Sequence, residues 1–214
     1  MMLLLTIQFL FAGLVLISDV SPTPEDCQHL VKPLSLKDFS MFSGTWYFIE
    51  GFTDSPPFKS ILKVLETTML KMVPTPRNAA VLRLIEENKF NGTCYGSKFN
   101  ITIYHDTAMT KTGTIETVFH LLPTCSDCLL FSINTTGTGF DKIQKMLGLP
   151  VTVGDEEIHA RAFYLMSQKT SVKEEDLQHF KKQAACAGFS GDSDYQYDSS
   201  KEFCAEDEGQ EITF

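Results

Sequence analysis

A chain of 214 residues, 43% of them hydrophobic, is enough for one well-buried domain, and its net charge of −9 argues against the basic face that nucleic-acid binding needs. The charge is uneven: residues 190–214 hold eight acids (Asp192, Asp194, Asp198, Glu202, Glu206, Asp207, Glu208 and Glu211) against Lys201 alone, which is −7 and leaves −2 for everything before them. Six cysteines, Cys27, Cys94, Cys125, Cys128, Cys186 and Cys204, form an even set that reads as a disulfide framework in an oxidising compartment.

Met2 to Ile17 is almost wholly apolar, broken at Thr6 and Gln8, and the small residues Ser18 and Ser21 follow. Residues 1–18 read as a signal peptide; the run is short of the ~20 residues a membrane span needs, and an uncleaved anchor is the alternative. A secreted, soluble domain over 19–189 is the expectation. Pro22, Pro24 and Pro33 oppose helix, so Ser21 to Leu36 reads as an extended arm, with one short turn over Leu36 to Met41. Gly44-Thr45-Trp46-Tyr47-Phe48-Ile49-Glu50-Gly51 then opens the first strand. Gly44 is expected to permit a tight backbone approach, and Trp46 to lie across one end of a core.

Turn signals divide Gly44 to Lys169 into eight β-like runs: Trp46–Phe52, Ile61–Val73, Ala80–Glu86, Cys94–Tyr104, Thr107–Lys111, Thr114–Leu122, Leu129–Asn134 and Ala160–Met166. Asp54-Ser55-Pro56-Pro57 closes the first run. The fold class is all-β: an eight-stranded antiparallel up-and-down barrel, closed on itself so that no edge is exposed. Between the last two runs, residues 137–157 form an insertion in which Phe140, Ile143, Gln144 and Leu147 share one helical face, the mark of a short flap beside a barrel end. A C-terminal helix follows, packed outside the barrel through Val172, Leu177, Phe180 and Ala184. Ser171-x-x-Glu174 reads as its capping box, Lys181 and Lys182 suit its negative end, and Gly188 is its stop. Residues 190–214 read as a solvated, mobile acidic tail.

Three sequons, at Asn91, Asn100 and Asn134, are candidate glycan sites in a secreted chain, and they orient the strands. A glycan at Asn100 faces solvent, so alternation turns Lys98 and Thr102 out, and Tyr95, Ser97, Phe99, Ile101 and Ile103 in. The same rule sends Leu129, Phe131 and Ile133 inward, and groups Ile115, Thr117, Phe119 and Leu121 on one face. On the second run it places Leu62, Val64, Glu66, Thr68, Leu70 and Met72 inside. The candidate ligand-binding residues are Glu66, Tyr95, Phe99, Ile101, Phe119 and Phe131, an aromatic and aliphatic lumen for a small hydrophobic or amphipathic molecule. His29, His105, His120, His159 and His179 form no metal-ligand set and no Ser/His/Asp arrangement. No catalytic residue, metal or cofactor is expected.

The G-x-W opening, the cysteine layout and the segments Pro22-Thr23-Pro24-Glu25-Asp26-Cys27, Thr124-Cys125-Ser126-Asp127-Cys128 and Cys186-Ala187-Gly188-Phe189-Ser190 together resemble the lipocalin superfamily over the whole mature length. Within it the chain is similar to the alpha-1-acid glycoprotein and apolipoprotein M group, and especially to the pufferfish saxitoxin- and tetrodotoxin-binding proteins. Six cysteines allow fifteen pairings; the resemblance implies Cys27–Cys186 and Cys94–Cys204, which leaves Cys125–Cys128 to close a local loop and the tail pinned by Cys204. It implies structural roles for Gly44 and Trp46, with Lys169, or second Arg161, as the basic residue over the tryptophan. It implies a monomeric secreted carrier. The more specific alternatives are a lipoprotein-associated lysophospholipid carrier and a guanidinium-toxin-binding plasma protein. Ser97 and Phe99 stand where apolipoprotein M has the arginine and tryptophan that hold its headgroup, and a guanidinium ligand would look to Glu66.

Overall fold

The structure, a computed structural model, describes residues 24–36, 40–76 and 78–211; the expected signal peptide lies outside the described residues. Eight strands form the body: β1 (Gly44–Thr53), β2 (Leu65–Thr75), β3 (Asn78–Phe90), β4 (Thr93–Tyr104), β5 (Thr107–Thr112), β6 (Ile115–Leu122), β7 (Cys128–Gly137) and β8 (Ile158–Ser167). Each pairs antiparallel with the next, and β8 returns to β1, so the sheet closes into a barrel with the meander order expected of it. Closure removes the unpaired edges that an open sheet would present.

One end of the barrel is filled. Trp46, 2% exposed, donates its indole N–H to the carbonyl of Phe42 (2.9 Å), and Phe42 sits on a short 3₁₀ turn, Ser40–Phe42. Met72, Leu82, Ile101, Leu121 and Leu129 pack around the indole cluster as a floor. Gly44 has φ of +124°, a conformation side chains resist, whereas a Cβ there would meet only the Gln168 side chain at an ordinary 3.6 Å. Its role is therefore conformational and not the close approach expected from sequence.

A bulge in β1 between Phe48 and Glu50 breaks alternation. Phe48 stays inside, while Ile49 joins Phe52, Leu130, Phe163 and Leu165 in a second apolar cluster outside the wall, and Glu50 faces Lys181 of the helix that follows β8. Phe180 and Ala184 of α4 (Glu174–Cys186) complete that cluster, as expected. The start of α4 differs from expectation. Lys173 is the N-cap, no side chain caps the helix, and Ser171 lies outside it; Glu174, Glu175 and Asp176 instead suit the positive end electrostatically. Lys181 does not serve the far end either, since it reaches Glu50 (3.6 Å). Gly188 does end the helix, with φ of +89° and the paired bonds Gly188 N–H to Ala185 O and Phe189 N–H to Ala184 O.

Two proline-rich stretches fold as helices, against the sequence reading. Helix α1 (Pro24–Leu30) occupies part of the expected extended arm, and α2 (Pro56–Leu62) replaces the turn and the first residues of the expected second run. Proline is harmless in a first turn, where its missing N–H would have no partner. The insertion does contain its expected helix, α3 (Phe140–Met146).

The C-terminal segment is not a loose tail. Tyr195–Gln196 (β9) pairs antiparallel with β1, and Gln210–Glu211 (β10) pairs parallel with Tyr95 and Gly96 of β4. Between them Cys204 is buried, and Glu206 and Asp207 pair with Lys71 and Lys98. Buried Glu87 accepts the backbone N–H groups of Asp207 (3.1 Å) and Gly209 (3.2 Å). The acidity of this strap answers outward lysines of β2 and β4. Three disulfides hold the ends: Cys27–Cys186 ties α1 to α4, Cys94–Cys204 ties β4 to the strap, and Cys125–Cys128 closes the β6–β7 loop. Lys169 pairs with Asp127, and Arg161 lies over Phe189, 5.3 Å from its ring centre.

Candidate ligand-binding cavity

The opposite half of the barrel is hollow because the inward side chains there are small. On β8 these are Ala160 and Ala162; on β5, β6 and β7 they are Thr110, Thr112, Thr117 and Thr135. They leave a cavity of about 250 Å³, walled otherwise by Phe99, Ile115 and Ile133. Several hydroxyls are already engaged: Thr53 donates to Arg161 O, Thr110 donates to Asn100 O, and Thr117 and Thr135 bond to each other (3.2 Å). The threonines therefore offer the cavity little free hydrogen bonding. A separate void of about 30 Å³ lies below, lined only by hydrocarbon.

The roof comes from α2 and α3. Phe58 and Phe140 meet with ring centres 5.3 Å apart, and Ile143 joins them over the cavity. Gln144, fully buried, clasps the two helices: its amide donates to Ser60 Oγ (3.1 Å) and Thr152 Oγ1 (2.8 Å), and its oxygen accepts the Thr152 N–H (3.0 Å). The insertion thus shapes the mouth, as its place between the last two strands suggested.

Two ionisable groups face the cavity, Glu86 of β3 and Tyr164 of β8. Burial pushes the Glu86 carboxyl above its ordinary value; the Ser97 hydroxyl, which donates to it at 3.0 Å, and Asn88 pull the other way. Burial, reinforced by Asp194 and Glu86, likewise holds the Tyr164 phenol protonated. The Tyr164 ring lies 4.7 Å from that of Phe48. Both rings occupy the space beside Gly51, where an added Cβ would meet Phe48 and come within 2.7 Å of Tyr164 Cδ1. The cavity therefore presents one carboxyl and one phenol against a wall of apolar side chains and threonines, an arrangement that can orient a polar head while enclosing an apolar body.

Of the residues expected in the lumen, Phe99 lines this cavity. Ile101, Phe119 and Phe131 point inward but line the small lower void, with Phe119 edge-on to Phe131 at 6.1 Å. Tyr95 packs against Phe90 (6.0 Å) and is not among the lining residues. Glu66 is a correction: it pairs with Lys201 of the strap (3.6 Å). The β2–β3 register shifts between Leu65 and Thr67, which breaks the alternation that had turned Glu66 inward. Sequence reasoning missed Glu86, although the alternation Leu82, Leu84, Glu86 around outward Arg83 was the available signal. It also missed Ala160 and Ala162, whose smallness makes the void. The sequon side chains Asn91, Asn100 and Asn134 are all exposed. Cys94, Cys204 and Glu208 converge, but the two sulfurs are bonded to each other and offer no thiolate to a metal.

No family model matches the chain. It is 24% identical over 205 residues to saxitoxin and tetrodotoxin-binding protein 1 of Takifugu pardalis, covering 89% of this chain and 47% of that protein, so the chain spans about half the length of the curated relative it matches. Among solved structures it resembles the siderocalin Ex-FABP, described as functioning through dual ligand specificities, with a TM-score of 0.56, 10% identity, and 78% and 96% of the two chains covered. It also resembles siderocalin Q83, described as having a dual ligand binding mode, with a TM-score of 0.55, 14% identity, and 79% and 96% covered. These two likenesses establish the fold of the barrel.

Proposed function

The chain is a lipocalin by fold, and from that premise we propose that it is a secreted carrier of one compact, largely apolar molecule whose polar head meets Glu86 and Tyr164. The observation that carries this reading is the hollow above the floor, lined by apolar side chains, by threonines whose hydroxyls are largely engaged, and by Glu86 and Tyr164. Its volume of about 250 Å³ lies just below the usual range of ligand sites, which favours a compact ligand over a long-chain lysophospholipid. The three disulfides suit an oxidising compartment.

A second reading is favoured by one observation. Glu86 is an inward carboxylate facing an apolar cavity, and a cationic head would offset the cost of burying its charge. The Takifugu relative is named for saxitoxin and tetrodotoxin, and a guanidinium ligand of that class is the cationic version of the same proposal. Lysophospholipid carriage finds no such support, since the inward groups are acidic or neutral.

Native mass spectrometry with compact guanidinium and amine compounds, neutral molecules of matched size, and a lysophospholipid tests both readings. One-to-one binding of a compact ligand is the expected result. Glu86→Gln is expected to weaken a cation at least tenfold, about 1.4 kcal/mol, and to leave a neutral ligand unchanged. Cation binding should also fade with acid, beginning above the ordinary carboxylate range because the Glu86 pKa is raised. Binding of the lysophospholipid alone would overturn the compact-ligand reading, and a cation held equally well by Glu86→Gln would overturn the second.

A further inference from the structure

The Cys125–Cys128 bond is set apart from the other two disulfides. Those span 159 and 110 residues and pin chain ends to the barrel, whereas this one spans 3. A cross-link that closes so short a loop removes little freedom from the unfolded chain. Its turn is also held without it, since the Cys128 N–H donates to the Cys125 carbonyl (3.1 Å) and Gln168 N–H to Asp127 O (3.0 Å).

Its surroundings differ as well. The bond borders a cleft of about 290 Å³ between the β6–β7 loop, the end of β8 and the start of α4. Lys169 and Lys173 stand on that cleft, paired with Asp127 and Glu175, and α4 begins there with Glu174, Glu175 and Asp176 in its first turn. Asp127 and Asp176 are on the same cleft, so its charges balance. What sets the bond apart is access, since a thiol in solution can reach it through the cleft. The two sulfurs are unequal: Cys128 is buried among the apolar residues beneath α4, and Cys125 is only half-buried.

We infer that Cys125–Cys128 is an exchangeable disulfide, opened reversibly by a small-molecule thiol of the glutathione type while the structural pair stays closed. The thiolate attacks Cys125 Sγ, the Cys125–Cys128 bond breaks, and the electron pair leaves on Cys128 Sγ, which takes a proton from water. The product is a mixed disulfide on Cys125. A second thiolate attacks the sulfur of the first thiol, releasing Cys125 as a thiol after protonation. In sum, two thiols are oxidised to one disulfide and the protein disulfide is reduced to a dithiol. The inference does not rest on the cavity reading.

The test equilibrates the intact chain in glutathione redox buffers, alkylates free thiols and maps them by mass spectrometry, with circular dichroism alongside. Cys125 and Cys128 are expected to be labelled at a reducing ratio at least tenfold milder than the other four cysteines require, about 30 mV, with the barrel spectrum unchanged. Cys128→Ser should accumulate glutathione on Cys125, and Cys125→Ser should load Cys128 at least tenfold more slowly. The inference is overturned if all three bonds open together with loss of the β spectrum. It is equally overturned if Cys125–Cys128 opens last, or if the two variants load at equal rates.

Discussion

Tyr164 reaches the cavity because Gly51 has no side chain. Gly51→Ala would drive a methyl into Phe48 and Tyr164, and overpacking of this kind costs about 1–3 kcal/mol. Thermal melts should show that loss, together with weaker ligand binding as the phenol shifts. On the outer wall, Glu50 is 1% exposed with Lys181 at 3.6 Å, and burial holds its carboxyl above the ordinary value. Lys181→Ala should destabilise by about 1–3 kcal/mol at alkaline pH, where the Glu50 charge most needs its partner. Because the folded pKa is raised, the native state takes up the proton first as pH falls, so the deficit should shrink in acid. Glu50→Gln in the same background should restore stability at alkaline pH. Denaturant titrations at two pH values measure both effects.

The C-terminal strap is held by two kinds of contact with different strengths. Its ion pairs, Lys71–Glu206 and Lys98–Asp207, are exposed and screened by salt, so they add little to its hold. The Cys94–Cys204 bond closes a long loop, and its removal should cost about 2–5 kcal/mol. High salt should therefore leave the strap in place, while Cys94→Ser with Cys204→Ser should release it. Hydrogen exchange at residues 207–211 should rise sharply only in the variant. Strap residues that exchange equally fast in both proteins would show that the side-chain clasp at Glu87 does not order them. The roof is a second element-scale device, with Gln144 joining α2 to the insertion.

At the scale of the molecule, much of the barrel was legible because half-buried strands alternate. Asn100 alone turned Phe99, Ile101 and Ile103 of β4 inward, as they stand, and Leu129, Phe131 and Ile133 followed the same rule. The cysteine partners came from the family resemblance, not from spacing. What was not legible depended on local breaks in periodicity and on tertiary pairing. The shift after Leu65 sent Glu66 to Lys201, prolines began helices, and the acidic segment found lysines distant in sequence. The cavity was hidden for another reason. Ala160 and Ala162 carry no chemical signature, and only the closed barrel shows that nothing fills the space before them.

The central claim is that this space holds the ligand, and filling it is the most direct test. In Ala162→Phe, a ring would occupy the cavity that Ala162 lines. Native mass spectrometry of this variant beside the unaltered chain, each with the compact ligand that binds best, should show one bound molecule on the unaltered protein. The filled barrel should bind none while retaining its β-rich circular dichroism. A folded Ala162→Phe protein that binds the ligand with undiminished affinity would place the site elsewhere and contradict the account.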